Sequence, residues 1–340
     1  MPNPQNDRPP LPTDYLAWTW QKPGTPDALQ LQRKTLRLPA AGEVLIANRV
    51  AALNPVDWKI VQAGHPAWQP GRVPGVDGVG TVAAVGDGVT LAVGARYAYH
   101  QGLAHDGSFA QYTVVRADCL LAVPDTLSDE LAACLPCPGL TAWQALRKVP
   151  DTPDTPGRDV LVSGAGGAVG LILVQLALRH GWRVWATASP KHHDQLAALG
   201  AAGVFDYREA GWTARLQTAL GARRLFAVFD TVSGTHARSL APHVGYNGHL
   251  VCIQDRLEAA PLAPFTTAIS LHEVALNSAH AHASPQDWQS WRADGERLMA
   301  QLRIGNLALP EIATHAFDAL PAALAALRAG TNEGKQLIRI

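Results

Sequence analysis

Residues 160–189 read VLVSGAGGAVGLILVQLALRHGWRVWATAS, and this stretch decides the fold of the chain. Its first three residues form a short apolar run that is typical of a fully buried parallel strand. Four glycines follow within seven residues, and apolar residues then recur at a spacing of three to four, as on a helix. Gly181 lies where such a helix would end, and the apolar run 184–187 follows it. The stretch therefore predicts a strand–helix–strand unit of an α/β fold.

The glycines at the start of the predicted helix suit a phosphate-binding turn. They let the backbone turn sharply, and they let a pyrophosphate approach the helix N-terminus, where free N–H groups favour an anion. The match to the dinucleotide fingerprint Gly-x-Gly-x-x-Gly is imperfect, because alanine replaces the first glycine. The predicted cofactor contacts in this turn are Ala165, Gly166, Gly167, Ala168, Val169 and Gly170. A plain tight turn in an α/β sheet is the alternative.

The composition is that of a globular protein without a charge bias. Hydrophobic residues make up 47% of the 340 residues and charged residues 16%, which permits a large core and excludes a disordered chain. Lys+Arg and Asp+Glu both total 28, so no positive excess favours nucleic acid. We see no long apolar span, and we expect the proline-rich segment 1–12 to be a mobile tail. The sequence predicts a cytoplasmic protein with no nucleic-acid or membrane partner.

The pattern of strands and helices changes along the chain. Short strands separated by glycine turns, from residue 29 to about residue 115, predict a compact barrel-like β domain. A loop at 150–157 precedes alternating strands and helices, which predict a doubly wound sheet. The segment 336–340 is again β-like and could rejoin the first domain. We expect a β domain of residues 1–137 and 306–340 and a dinucleotide-binding domain of residues 138–305.

Short blocks along the chain carry a family resemblance. They are NPVDWK (54–59), PGVDGVGTV (74–82), GSFAQY (107–112), GLTAW (139–143) and GK (334–335). With the glycine turn, they resemble the medium-chain dehydrogenase/reductases, specifically the zinc-free quinone oxidoreductase and enoyl reductase-like branch. The resemblance implies an α/β protein in which a GroES-like β-barrel domain holds both chain ends around a doubly wound Rossmann domain. It also implies an active site in the cleft and a homodimer.

Residue types argue against a catalytic zinc ion. The zinc alcohol dehydrogenases of this superfamily bind it through a cysteine, a Gly-His-Glu block and a further cysteine. The corresponding block here is Gly75-Val76-Asp77, in which valine has no ligand atom, and no cysteine precedes Cys119. We therefore predict no metal site.

Two other groups of potential ligands are weaker. Cys134 and Cys137 form a lone pair, which fits core packing better than zinc binding. His272, His280 and His282 are predicted to share a His-rich loop and could bind zinc, although no cysteine or carboxylate joins them at a familiar spacing. The four cysteines do not form the pattern of a disulfide framework in a chain of this size.

The end of the second predicted strand points to NADPH. NAD-binding folds usually carry an acidic residue there to hold the ribose hydroxyls, but residues 187–191 read TASPK. In the NADPH-dependent members of the family that the chain resembles, a serine, a lysine and a later tyrosine bind the 2′-phosphate, and Ser189, Lys191 and Tyr207 occupy matching positions. The alternative is that Ser189 caps the next helix and Lys191 is solvated.

The resemblance implies hydride transfer from NADPH to a quinone or an α,β-unsaturated carbonyl. Negative charge then builds on a carbonyl oxygen, and a nearby cation stabilises it. Lys59 is the predicted catalytic residue, with an ordinary surface lysine as the alternative and solvent as another proton donor. Asn54, Thr141 and Lys335 are predicted cofactor contacts. Two functions stay open beside this one: an alcohol or aldehyde dehydrogenase of the same superfamily, and a non-catalytic NADPH-binding protein like the lens crystallins.

Overall fold

The computed structural model describes residues 10–150 and 157–340. The described residues form two compact units: one holds those up to Pro136 together with Ile312–Ile340, and the other holds those between Cys137 and Glu311. Most of the proline-rich segment 1–12 and most of the predicted loop 150–157 lie outside the described residues.

The described strands and helices are as follows. The strands are β1 (Asp14–Thr19), β2 (Gln30–Thr35), β3 (Glu43–Ala52), β4 (Asp77–Val85), β5 (Arg96–His100), β6 (Tyr112–Arg116), β7 (Leu120–Ala122), β8 (Asp159–Ser163), β9 (Arg183–Thr187), β10 (Gly203–Phe205), β11 (Leu225–Asp230), β12 (Val244–Cys252), β13 (Ser270–Glu273), β14 (Ile312–Ala316) and β15 (Lys335–Arg339). The α-helices are α1 (Pro55–Ala63), α2 (Asp129–Ala133), α3 (Pro136–Arg147), α4 (Ala168–Arg179), α5 (His193–Ala198), α6 (Trp212–Leu220), α7 (Thr235–Leu240), α8 (Ala279–His282), α9 (Pro285–Arg303) and α10 (Leu320–Ala329).

The first unit is built on the long strand β3. It pairs antiparallel with β4, β6 and β15, and the main sheet has the order β14-β15-β3-β4-β5-β7. Strands β1 and β2 form a separate antiparallel pair. Because β15 lies beside β3, with Leu337 opposite Ala52, the last strand returns to the first unit and brings Lys335 near the start of α1.

The second unit contains a six-stranded parallel sheet. Its strand order is β10-β9-β8-β11-β12-β13, the 3-2-1-4-5-6 order of the dinucleotide-binding folds. Every residue of the central strand β8 is buried, as its apolar run predicts. The predicted strand–helix–strand unit is confirmed as β8-α4-β9, and the predicted doubly wound α/β fold is confirmed with it.

The helices of the described residues are short or amphipathic. Even α9, with 19 residues, buries only one side of its surface, including Trp288, Leu298 and Met299. No helix in residues 10–150 or 157–340 is long and apolar enough to cross a membrane.

Candidate cofactor-binding and catalytic site

The glycine turn connects β8 to α4 in the second unit. Gly164 follows β8 in the left-handed region (φ 71°), where glycine is favoured. The N–H of Ala165 then donates to the carbonyl of Thr187 on β9 (2.8 Å). A side chain at Gly170 would overlap the backbone of Gly164, so this glycine allows the helix to pack tightly against the turn.

The N-terminus of α4 is open. Gly167 caps the helix without a side-chain hydrogen bond, and α4 begins at Ala168 and Val169. A β-carbon at Gly167 would meet only the carbonyl of Gly164, at 3.6 Å, so space lies beside this end of the helix. The first N–H groups of a helix have no intrahelical acceptor and attract anions. The glycine turn therefore leaves the first N–H groups of α4 without a side-chain acceptor and with free space beside them.

A cavity of about 450 Å³ lies beside the turn. Its lining residues are Ser163, Gly164, Gly166, Gly167, Thr187, Ala188, Ser189, His192, Tyr207, Val232 and His236. Four of the predicted cofactor contacts, Gly166, Gly167, Ser189 and Tyr207, are thus brought together. Among the described residues that line the cavity there is no carboxylate.

The other predicted contacts of this unit lie outside that lining. Lys191 is exposed in the short 3₁₀ turn Pro190–His192, directly after Ser189. Thr141 is buried in α3. Tyr207, which does line the cavity, is about half exposed (47%), and the guanidinium of Arg208 lies 5.2 Å from the centre of its ring.

His192 is a lining residue that the sequence-based prediction lacks. Its imidazole ring occupies the place where a β-carbon of Gly166 would be. A side chain at position 166 would therefore have to displace this ring. The sequence feature that could have indicated His192 is its position directly after Lys191, in a basic pair close to the predicted phosphate contact Ser189.

His236 is the second lining residue absent from the prediction. Its Nδ1 lies 2.9 Å from Oδ1 of the buried Asp230, so this nitrogen carries the proton and donates it. Burial alone would raise the pKa of Asp230, but the hydrogen bond and charge of His236, with the N–H groups of Val232 and Ser233, hold the pKa below its usual value. A carboxylate at the end of β11 thus fixes the imidazole at the cavity.

A buried polar network lies at the start of α1 in the first unit. The Lys335 ammonium donates to Oδ1 of Asn54 (2.6 Å) and to the carbonyl of Leu53 (3.0 Å). The Asn54 amide in turn donates to Oδ2 of Asp77 (2.9 Å), whose Oδ1 lies 3.2 Å from Nδ1 of His100. Two predicted cofactor contacts, Asn54 and Lys335, are therefore bound to each other.

Asp57 anchors the first turn of α1. Its carboxylate accepts hydrogen bonds from the N–H groups of Asn54 (2.7 Å) and Val76 (3.1 Å). Complete burial is the main cause that raises the pKa of Asp57 to about 7, and the negative charge of Asp77 raises it further. The N–H groups of Asn54 and Val76 and the positive charge of Lys335 act in the opposite direction and lower this pKa. The contact with Val76 ties α1 to the residue that precedes β4.

Lys59, the predicted catalytic residue, lies on α1 two residues after Asp57. Its side chain is exposed, and its ammonium lies 5.8 Å from the centre of the Trp58 ring. The rigid first turn of α1 thus fixes the backbone from which this flexible cation extends.

The prediction that His272, His280 and His282 share one loop is wrong. His272 lies on β13, and its Nε2 is 3.1 Å from Nδ1 of His249, while the other two histidines lie on α8. Residues 270–273 pair with β12 as strand β13, so His272 lies in the sheet and apart from the helix that carries the other two histidines. Among residues 10–150 and 157–340, no three His, Cys, Asp or Glu residues are grouped to hold a metal ion. Val76 is buried, and Cys119, Cys134, Cys137 and Cys252 form no disulfide bond.

Two protein families match the chain. Residues 40–125 match the alcohol dehydrogenase GroES-like domain, and residues 168–293 match the zinc-binding dehydrogenase family. These matches confirm the GroES-like domain and the α/β fold class that the resemblance implies.

Relatives and solved structures agree with these families. The chain is 32% identical over 337 residues to the trans-enoyl reductase ACTTS2 of Alternaria alternata, covering 91% of this chain and 95% of that protein. It is 34% identical over 217 residues to the trans-enoyl reductase tazE of Aspergillus terreus, covering 58% of this chain and 70% of that protein.

Among solved structures, the Escherichia coli quinone oxidoreductase complexed with NADPH has the same fold. Its TM-score is 0.82 at 22% identity, and the match covers 96% of this chain and 100% of that chain. An alcohol dehydrogenase superfamily protein of Novosphingobium aromaticivorans is similar with a TM-score of 0.81 at 26% identity, covering 96% of this chain and 99% of that chain. The present chain therefore belongs to the medium-chain dehydrogenase/reductase superfamily, and its relatives include trans-enoyl reductases.

Proposed function

We propose that the protein is an NADPH-dependent, zinc-independent reductase that transfers a hydride to a quinone or an α,β-unsaturated carbonyl. One observation carries the proposal: the cavity at the glycine turn combines an open helix N-terminus with Ser189 and Tyr207, and no carboxylate is among its described lining residues. The trans-enoyl reductases among the relatives favour the unsaturated carbonyl as the acceptor.

The turn and the cavity fit the phosphates of NADPH. The N-terminus of α4, with Gly166 and Gly167, would hold the pyrophosphate, because backbone N–H groups and the helix dipole favour an anion there. Ala165, Ala168, Val169 and Gly170 would shape the turn around it. Ser189, Lys191 and Tyr207 would hold the 2′-phosphate. NADPH is also the cofactor in the solved complex of the Escherichia coli quinone oxidoreductase.

When bound, NADPH supplies a hydride to the acceptor. Addition of a hydride at the β-carbon of an unsaturated carbonyl moves an electron pair onto the carbonyl oxygen. We assign Lys59 to this oxygen, because an ammonium group stabilises developing negative charge where no metal ion does so. A proton delivered to the α-carbon from Lys59 or from solvent completes the reduction.

Three further residues complete the proposed cofactor site. Thr141 is assigned to the nicotinamide amide. Asn54 and Lys335 are assigned to the cofactor as a pair, because their 2.6 Å hydrogen bond would hold both side chains in place before the cofactor binds. A preorganised pair loses less conformational entropy on binding than two mobile side chains.

Zinc independence rests on the residue at the histidine position of the zinc-binding block. The Val76 side chain has no ligand atom. The N–H of Val76 donates a hydrogen bond to Asp57, so this segment stabilises the first turn of α1. An alcohol oxidation at this place would lack the metal that stabilises the alkoxide.

The proposal is tested by steady-state oxidation of NADPH and NADH with chelator-washed, metal-analysed protein. The acceptors are a panel of quinones, enones, trans-2-enoyl thioesters and aldehydes. We expect turnover with NADPH and a quinone, enone or enoyl acceptor, without a stoichiometric metal. Zinc-dependent turnover of alcohols would overturn it, and tight NADPH binding without turnover would favour a non-catalytic protein. Light scattering during gel filtration tests the proposed homodimer.

A further inference from the structure

The second unit contains another cavity, which the proposed function does not use. Its volume is about 460 Å³, it opens to solvent, and it is lined by α3, α8 and α9 and by the turn before α8. Cavities of this size hold small organic molecules. It shares no lining residue with the cavity at the glycine turn.

Tryptophan rings form much of its wall. Trp143 comes from α3, and Trp288 and Trp291 come from α9, where their rings meet edge to face at 5.3 Å. The Arg297 guanidinium lies 5.5 Å from the centre of the Trp143 ring and covers one of its faces. Large flat side chains of this kind bury planar aromatic molecules well, because offset and edge-to-face ring contacts add to the buried area.

Polar atoms of the wall lack partners. In residues 10–150 and 157–340, the indole Nε1 atoms of Trp143 and Trp291 and the Oε1 atom of Gln144 are shielded from solvent and have no hydrogen-bond partner. Buried polar atoms are bonded in the great majority of cases, so an orphaned group requires an explanation. Because both indole N–H groups are shielded from solvent, the tryptophans present apolar ring surface to a ligand in the cavity.

Around the cavity, the basic side chains of Arg147, Lys148 and Arg297 face the carboxylates of Asp287 and Asp294. The buried carboxylate of Asp294 is already shared by Arg147 (2.8 Å) and Arg297 (2.7 Å). Asp287 lies in the first turn of α9, where its carboxylate accepts hydrogen bonds from the N–H (2.9 Å) and the hydroxyl (2.7 Å) of Ser284. Lys148 lines the cavity, is exposed and forms no ion pair with any described residue. A ligand would therefore gain most from carrying a negative group at the end near Lys148.

We propose that this cavity, formed by α3, α8 and α9, is a second small-molecule site that binds a planar aromatic anion. The site is separate from the nucleotide cavity, so the protein carries it in addition to the cofactor. The tryptophan wall holds the aromatic part, and Lys148 attracts the anionic group.

The test uses 8-anilinonaphthalene-1-sulfonate as a planar aromatic anion and N-phenyl-1-naphthylamine as an uncharged analogue. Calorimetry and probe fluorescence are measured on the protein saturated with NADPH. We expect one sulfonate site that persists with NADPH bound. Competition between the sulfonate and NADPH, or the absence of sulfonate binding, would overturn the proposal.

Matched variants locate the site. Ala279→Trp fills the cavity and should abolish sulfonate binding, whereas Ala281→Trp, exposed on the same short helix and outside the lining, should not. Lys148→Glu should weaken sulfonate binding by about fivefold, as for a partly exposed ion pair, and leave the uncharged probe unchanged. Lys22→Glu, an exposed lysine of the other unit, is the control. Equal effects within either matched pair of variants would overturn the proposal.

Discussion

The ammonium of Lys335 donates a 2.6 Å hydrogen bond to the side chain of Asn54, 281 residues earlier in the chain. Both side chains are buried, at 5% and 3% exposure, and Asn54 passes the contact on to Asp77. The last strand of the protein is thereby fastened to the start of α1. The pair is part of the fold of the first unit, whatever it also does for a cofactor.

Lys335→Met should therefore destabilise the protein. The methionine keeps the length of the side chain but leaves Asn54 without its donor and the nearby carboxylates without a cation. We expect a loss in unfolding free energy on the order of 3 kcal/mol, the scale found when one partner of a buried ionic group is removed. Urea-induced unfolding measures it. An unchanged denaturation midpoint would show that the pair contributes nothing to stability.

Asp57 should make the stability of the protein depend on pH. Its pKa in the folded state is about 7, above the ordinary value of 3.8, so the folded chain binds this proton more tightly than the unfolded chain. The stabilising contribution of the protonated carboxyl is complete below pH 4 and is lost as the pH rises through 7.

Asp57→Asn removes this titration. Between pH 4 and 7 we expect the unfolding free energy of the native protein to fall, relative to that of the variant, by on the order of a few kcal/mol. Urea unfolding at several pH values gives both profiles. The exposed Asp87→Asn serves as control. Parallel profiles for the native protein and Asp57→Asn would contradict the assignment.

Two glycines of the turn should respond differently to alanine. A β-carbon at Gly170 would overlap backbone atoms of Gly164 and Ala165, which cannot move aside as a side chain can. Gly170→Ala should therefore cost about 1–3 kcal/mol in unfolding free energy, as overpacked sites do. Gly167 has room for a methyl group and a φ of −82°, so Gly167→Ala should fold normally and weaken NADPH binding. Thermal unfolding and cofactor titration separate the two effects, and a reversed order would refute this interpretation of the turn.

Lys191→Ala should weaken the binding of NADPH much more than that of NADH. Only NADPH carries the 2′-phosphate, and a hydrogen bond to a charged group contributes about 1.5–3 kcal/mol, which corresponds to roughly 10- to 100-fold in Kd. Calorimetric titration with both cofactors measures the ratio. Ser189→Ala should act in the same direction, and Lys22→Ala, at an exposed lysine of the first unit, should leave both affinities unchanged. Equal losses for the two cofactors would remove Lys191 from the phosphate site.

Lys59→Ala should slow turnover and spare cofactor binding. Loss of one group that stabilises developing charge lowers kcat by about 10²–10³-fold. Lys59→Arg should recover part of the rate, since it restores a cation at the same place on α1. Stopped-flow and steady-state kinetics give kcat, and titration gives the Kd of NADPH. A normal kcat for Lys59→Ala would leave Lys59 as a surface lysine.

The sequence predicts the centre of the second unit well, and the reason is local. The run 160–162, the glycines and the helical spacing up to Gly181 are each decided by neighbours in sequence, and the structure has β8, α4 and β9 there. Strand β13 carries no such signal, because its four residues, SLHE, are mostly exposed and depend on pairing with β12. Helix α9 is absent from the prediction, although Ser284, Pro285 and Asp287 form a recognisable capping sequence.

The candidate site is predictable where a motif defines it and unpredictable where distant residues meet. Gly166, Gly167, Ser189 and Tyr207 follow from the strand–helix–strand pattern and the family resemblance, and all four line one cavity. Nothing local shows that the ring of His192 would turn onto Gly166. The contact between Lys335 and Asn54 likewise depends on the pairing of β15 with β3.

The most direct measurement of the central claim follows deuterium from NADPH into the product. Two preparations of [4-²H]NADPH are used, one for each configuration at C4. The metal-analysed protein reduces an enone or a trans-2-enoyl thioester, and mass spectrometry and NMR locate the label. The account predicts one deuterium on the β-carbon for each NADPH oxidised, from one configuration only, with the carbonyl intact. Deuterium on the carbonyl carbon of an alcohol product, or transfer that requires added zinc, would contradict it.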